Sequence, residues 1–275
     1  MIPIQDIINK KIIEARESRD REVKHWHCSK LGQCLRGVYF ERLGVKPDKE
    51  FTERELRVFD VGKMFENWII GLIDKQEGVE METQVKVLDE ELDISGMADL
   101  VISYDKTKKV YELKSKHSRA FWYMADKKEG ANRQHEYQLW TYLKLLGVEE
   151  GSILYVSKDD LAMMEFPVLL SDKKLEEEVM NEVNLLNRAW KEKDPSILPL
   201  PNGKSWKSKW CRYHSNCLKV GTKPSSYLRK CVVCGKSFGT DHREKILCGE
   251  WECLEEHARR KTSEYRRIHR SAKRK

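Results

Sequence analysis

The sequence predicts a mixed α/β fold, with a central mixed sheet flanked by helices, followed by a small cysteine-rich module and a basic helical tail. Three observations predict it. Apolar residues recur at helical spacing in residues 4–20, 30–43 and 52–75. They then alternate at strand spacing between residues 80 and 116. Four cysteines crowd into residues 231–253, in a C-terminal quarter that is strongly basic.

The elements follow in order. Ile4, Ile7, Ile8, Ile12 and Ile13 mark the first helix. Residues 30–43 read as a second, ended by Gly44, and residues 52–75 as a long amphipathic third. Glu80 to Leu88 alternates as a strand. Leu92 to Tyr104 and Lys108 to Lys116 read as two strands joined by the turn Asp105-Lys106-Thr107. Ala131 to Leu146 is a helix stopped by Gly147, and Ser152–Ser157 and Met163–Val168 are short strands. Ser171 to Lys191 is a helix with Ser171 as its N-cap and an acidic first turn. Pro195 to Gly203, with three prolines and a glycine, reads as a linker leading to Cys211. The expected division is residues 1–222 and 223–275.

Composition narrows the function class. The 275 residues are 40 % hydrophobic, enough for one large domain and a small appendage. No stretch approaches the roughly 18 apolar residues of a membrane span. The first residues lack an apolar core and cleavage site, so an intracellular, cytoplasmic protein is expected. The formal charge of +7 is unevenly distributed. Residues 1–200 carry 32 basic and 38 acidic side chains, residues 201–275 carry 20 and 7. An acidic body with a basic tail suits a polyanionic partner, most simply nucleic acid.

The eight cysteines fall into two sets. Cys231-x2-Cys234 is followed by thirteen residues and then Cys248-x4-Cys253, a spacing that suits four thiolates around tetrahedral Zn²⁺. So short a segment has little core, and the metal would supply much of its folding energy. Lys230, Lys236, Arg243 and the basic run through Arg259, Arg260, Arg266 and Arg267 would grip DNA; a protein partner is the other use of such a module. The second set, Cys28, Cys34, Cys211 and Cys217, pairs the start of the body with its end. Thiolates of this kind suit an iron–sulfur cluster or zinc, with His214 as a competing ligand.

The hairpin between residues 92 and 116 carries the chemistry. Glu112 and Lys114 are two apart on a strand and share a face; Asp99 on the preceding strand can reach the same cleft. Two carboxylates and an ammonium are costly to bury together, and a divalent ion such as Mg²⁺ gives them a purpose. Glu66 is a carboxylate within the apolar stripe of the third helix. Gln138 and Tyr142 lie one turn apart on a later helix and can bond phosphate or hold the lysine. Each alone is commonplace on a protein surface; their order and spacing are not.

That order resembles the PD-(D/E)XK nuclease superfamily, in its RecB-like branch, over roughly Ser29 to Cys217. Asp99 and Glu112-x-Lys114 match the catalytic motif, and Gln138-x3-Tyr142 the motif marking the branch. Ser29-x-Leu31-x2-Cys34-x-Arg36 is similar to an N-terminal motif whose cysteine binds a 4Fe–4S cluster in CRISPR-associated and helicase-linked members. The resemblance implies a restriction-endonuclease-like core. It also implies Mg²⁺ or Mn²⁺ held by Glu66, Asp99, Glu112 and the Leu113 carbonyl, with Lys114 orienting the attacking water. The sequence departs from the pattern at Glu66, where many members carry histidine and the glycine-x3-glutamate arrangement is similar to phage exonucleases. It departs again at His214, where a cysteine is expected, so Cys28 or His214 completes the cluster. The appended four-cysteine module is also unusual for the branch.

The implied activity is metal-dependent hydrolysis of DNA phosphodiesters, by resemblance an exonuclease acting at DNA ends. Gln138 and Tyr142 would position the strand, and Lys116 and Arg119 are candidate phosphate contacts. Trimming of CRISPR spacer precursors and site-specific endonuclease cleavage share this chemistry. A non-catalytic DNA-binding adaptor is the reading from a different class.

Overall fold

A computed structural model describes residues 3–17, 22–73, 78–105, 107–126, 130–199, 211–220, 227–234 and 237–240, with Cys253, Glu256, His257 and Arg260. The chain divides into two compact units, residues 1–220 and 221–275.

The first unit is the expected mixed α/β body. Its helices are α1 (Ile4–Glu17), α2 (Leu35–Arg42), α3 (Glu53–Ile73), α4 (Ser118–Asp126), α5 (Arg133–Leu146), α6 (Lys173–Glu192) and α7 (His214–Val220). Its strands are β1 (Trp26–His27), β2 (Glu80–Asp89), β3 (Ile94–Tyr104), β4 (Thr107–Lys116), β5 (Glu150–Ser157) and β6 (Met163–Leu169). Neighbouring strands run β1-β3-β4-β5-β6, with β2 on the other side of β3. Pairing is parallel for β1 with β3 and β4 with β5, and antiparallel elsewhere.

Two helices sandwich β4. Its Tyr111 and Leu113 pack with Ile69, Phe65 and Ile70 of α3. Val110 belongs to the main core with Leu139 and Leu143 of α5. Because strand side chains alternate, α3 and α5 cover opposite faces. Gly151 of β5 allows the close approach of α5, since a Cβ there would come within 3.0 Å of Leu139 and 3.1 Å of Leu143 and would meet the Val110 carbonyl of β4 at 2.6 Å. Gly147 ends α5 at φ 63°, in the left-handed conformation its missing side chain permits.

Several sequence expectations need correction. The second helix begins at Leu35 rather than residue 30, because Gly32 turns at φ 77° and a short 3-10 turn, Cys28–Lys30, precedes it. The N-cap of α6 is Asp172, whose carboxylate accepts from Leu175 N–H at 3.0 Å, and not Ser171. Two elements lie outside the expected set: β1, which two rungs to Ile94 and Ser95 hold, and α4.

The beginning and end of this unit are bound together. The Arg42 guanidinium lies 4.3 Å from both the Trp26 and Trp190 rings and pairs with Asp93. Arg36 is fully buried; its Nε donates to the Leu198 carbonyl at 2.9 Å and its Nη1 to Cys217 Sγ at 3.9 Å.

In the second unit, β7 (Tyr227–Lys230) and β8 (Ser237–Thr240) form an antiparallel pair with Cys231 and Cys234 between them.

Candidate active site

The site forms where β3 and β4 part. Their ladder ends at Leu100↔Tyr111; one step further the register would set Asp99 across from Glu112. There a side chain replaces the rung, as the Leu113 N–H donates to Asp99 Oδ2 at 2.9 Å. Beyond it, β4 stays paired with β5 out to Lys116↔Ser157. On β3's same edge β1 pairs only with Ile94 and Ser95, so Gly96 to Asp99 lie between two partners. A gap in a ladder frees backbone and side chains for other uses.

Glu112 is fully buried. Its Oε1 accepts from Lys114 Nζ, while its Oε2 is buried with no hydrogen-bond partner. Burial pushes the Glu112 carboxyl up to about 8, and Asp99 adds to this against the pull of Lys114. Burial also raises Asp99, with Lys114 opposing and Glu66 reinforcing. Burial works against the Lys114 charge, but Glu112, Asp99 and Glu66 together outweigh it and hold its pKa above the usual lysine value. The structure thus brings Glu66, Asp99, Glu112 and Lys114 into one electrostatic neighbourhood.

This donor set fits a hard divalent cation. A buried carboxylate oxygen with no donor is rare and costly, and an ion removes the cost. Glu66, Asp99 and Glu112 do not form a set with oxygens all within 4.8 Å of one another; among the described residues the one such metal-ligand grouping is in the second unit. Oxygens bonded directly to one Mg²⁺ lie within about 4.2 Å of one another, so in this arrangement one or two of the carboxylates would bind the ion directly and the rest through its waters.

Three further residues stand at or beside the site. Gln84 of β2 stands opposite Asp99 in the register, at φ 53°, and its amide donates to Glu66 Oε1. Lys63 pairs with the same oxygen at 2.5 Å. His135 of α5 lies 2.7 Å, Nδ1 to hydroxyl, from Tyr155. Burial, followed by Lys114 and Lys116, pushes His135 down to about 3, so it is neutral. Its spacing of three and seven from Gln138 and Tyr142 would have put it on their face.

The roles given to Gln138 and Tyr142 need correction. Gln138 Nε2 donates to the Tyr142 hydroxyl at 3.2 Å, and both are buried. Tyr142 is 0 % exposed, which removes it from contact with a DNA strand. It instead packs on Gly96, where a Cβ would come within 2.7 Å of both Tyr142 Cε1 and Cys28 Sγ.

Cys28 therefore parts from its expected set. It is buried against Gly96 and Tyr142, and burial raises its thiol well above the usual value. The other three keep together. The Cys34 thiol bonds to Cys211, which this bond brings down to about 6, while Cys34 is raised. Cys217 lies near enough to influence Cys34 electrostatically, and His214 to influence Cys211. No three of these first-set ligands form a grouping within 4.8 Å, the closeness that zinc–sulfur bonds of about 2.3 Å demand.

The ligand atoms of Cys231, Cys234 and Cys253 do lie within 4.8 Å of one another. Cys248 lies outside the described residues, as do Lys236, Arg243, Arg259, Arg266 and Arg267. Arg260 donates to Glu256 at 2.8 Å. Lys116 and Arg119 line a common cavity beside α4. Among the described residues no helix is long and apolar enough to cross a membrane.

No protein-family model and no curated protein matches the chain. Solved structures do. SSO0001 matches at TM-score 0.50 and 20 % identity, over 80 % of this chain and 99 % of that one. The alkaline exonuclease LHK-Exo from Laribacter hongkongensis matches at TM-score 0.47 and 12 % identity, over 67 % and 93 %. A phage-related exonuclease from Haemophilus somnus 129PT matches at 0.43 and 13 %, over 63 % and 96 %. The likeness to SSO0001, which takes in almost all of that chain, is one of fold.

Proposed function

We propose that the chain is a Mg²⁺- or Mn²⁺-dependent DNA nuclease, with Glu112 and Lys114 at its centre. The observation that carries this is the buried Glu112 carboxylate with one oxygen on Lys114 and the other without a donor. Asp99, Glu112 and Glu66, with the Leu113 carbonyl, would hold the ion, which when bound supplies Lewis acidity toward the phosphate and its attacking water. Lys114, beside Glu112, orients that water and offsets charge that builds on the phosphate. Asp99 is fixed for its task by the Leu113 N–H. Gln138 and Tyr142 act as positioning residues, through the packing of Tyr142 on Gly96. An exonuclease acting at DNA ends is preferred to an endonuclease on the sequence resemblance.

The cysteine sets complete the proposal. Cys231, Cys234, Cys253 and Cys248 hold zinc, and the basic residues around them grip DNA or a protein partner. Cys34, Cys211 and Cys217, with His214 as the fourth ligand, would hold a 4Fe–4S cluster, for which the hydrogen-bonded Cys34 and Cys211 sulfurs would have to separate.

The test is digestion of end-labelled single- and double-stranded DNA with Mg²⁺, Mn²⁺ or chelator. Metal-dependent cleavage that Glu112→Ala and Lys114→Ala both abolish is expected; undiminished cleavage by both variants overturns the assignment.

A further inference from the structure

The amphipathic helix α1 turns a polar side toward its own body. Arg57 of α3 donates to the Asn9 side chain, and the Arg16 guanidinium lies 5.4 Å from the Phe51 ring, just ahead of α3. As position along α3 rises, its partner in α1 falls, so the two helices run antiparallel. At about 100° per residue, Asn9 points about 150° away from the centre of the face shared by Ile4, Ile7 and Ile8. Those three isoleucines are exposed, Ile4 by 75 %.

α3 continues the apolar surface. Val61, Met64, Trp68 and Leu72 point within about 60° of Arg57, toward the side on which α1 lies. α1 begins five residues before Asn9, so it reaches only to about the middle of α3. Met64, Trp68 and Leu72 lie along the second half and are exposed, Met64 by 67 %. The Phe65 ring meets Trp68 edge-on at 6.2 Å, which orders the stripe before anything binds. Trp68 is two residues from Glu66, about 200° round the helix, so the stripe faces away from the proposed metal site.

The size and charge of this surface narrow what covers it. These seven apolar residues expose on the order of 750 Å². The largest apolar patch of a monomer is about 300–600 Å², and each partner in a standard interface contributes about 800 Å², little more than half of it apolar. The area is therefore enough for a stable dimer. The two helices carry six basic and seven acidic residues, some paired within a helix. A nearly neutral face gives a phosphate backbone no hold and does not repel its own copy.

We propose that this face joins two copies of the chain about a two-fold axis. α1 is a ridge on the first half of α3, and the open second half is a step beside it. Under a two-fold rotation each ridge fills the other copy's step, so the α1 isoleucines pack on Met64, Trp68 and Leu72 of the second copy. Ridge and step of like apolar character on one surface suit a self-complementary contact, whereas an unrelated protein would need only one of them. The proposal is independent of the nuclease assignment.

Sedimentation equilibrium of the full chain tests it. A mass twice that of one chain is expected at micromolar concentration. Ile8→Glu and Trp68→Glu should each raise the dissociation constant roughly tenfold or more. Circular dichroism should be unchanged, because both side chains are at the surface. A photo-reactive benzophenone side chain placed at position 8 reads the contact without a charge. In a mixture of isotope-labelled and unlabelled chains it should capture the peptide of the other copy that contains Trp68. A monomer throughout the range, a dimer that neither substitution weakens, or capture of residues 221–275 of the same chain overturns the proposal.

Discussion

The Gln84 amide donates to the Glu66 carboxylate from the middle of β2, where Gln84 holds a φ of 53°. A non-glycine residue in the left-handed region costs about 1–2 kcal/mol, and strands rarely tolerate it. The strain sits opposite Asp99, where it aims a donor at a carboxylate of the proposed metal site. Gln84→Gly should relieve the strain and Gln84→Ala should not, so the glycine variant should be more stable by about 1 kcal/mol. Both should bind Mn²⁺ several-fold more weakly. Thermal unfolding and Mn²⁺ titration read the two effects; equal stability of the variants would remove the strain argument.

Lys114 and Glu112 give a second prediction. Without its lysine, buried Glu112 takes up a proton rather than remain charged, so Lys114→Ala should cost about 1–3 kcal/mol instead of the full penalty of an unpaired ion. Glu112→Gln in the same chain should recover part of that loss, and Mg²⁺ should stabilise Lys114→Ala but not the double variant. Denaturant unfolding with and without Mg²⁺ measures this.

Gly96→Ala should cost about 1–3 kcal/mol by forcing its new methyl against Cys28 and Tyr142. Cys28→Ala should relieve part of the clash. Because Cys28 faces Gly96, Cys28→Ala alone should leave the metal content of the first cysteine set unchanged, while Cys34→Ala and Cys211→Ala lower it. Loss of metal from Cys28→Ala would restore Cys28 as a ligand.

Glu182 supplies a pH dependence. Its Oε2 accepts the Gly32 N–H at 2.7 Å, and burial pushes its pKa up to about 7, against the lowering effect of that hydrogen bond. A carboxyl whose folded pKa is raised binds its proton more tightly when folded. Its stabilising effect is therefore complete below the ordinary value near 4.5 and lost as pH rises through 7. The loss should be about 1–2 kcal/mol after allowing for partial exposure, and Glu182→Gln should flatten it. Unfolding free energies between acid and neutral pH check the slope.

Much of the site was legible because it follows local rules. Glu112-x-Lys114 obeys strand alternation, and Gln138-x3-Tyr142 obeys helical spacing. What escaped depends on distant chain. Trp26 and His27 form a strand only because Ile94 and Ser95 offer an edge. Gln84 looks like an ordinary strand residue until Glu66 is brought beside it. Cys28 belongs by spacing with Cys34, yet the chain turns through Gly32 between them and packs Cys28 under Gly96. For α4, the aromatic run Phe121-Trp122-Tyr123 mixes a buried ring with two exposed ones, a pattern that the spacing of apolar residues does not separate.

Arg36 sets an order on the making of the protein. Among its acceptors, the Ser196 and Leu198 carbonyls and the Cys217 sulfur are translated more than a hundred and fifty residues after it. On the ribosome α2 can form early, but its guanidinium has to stay in water until those acceptors emerge, because an unpaired buried cation costs several kcal/mol. The body therefore seals late, once the segment from Ser196 to Cys217 has emerged.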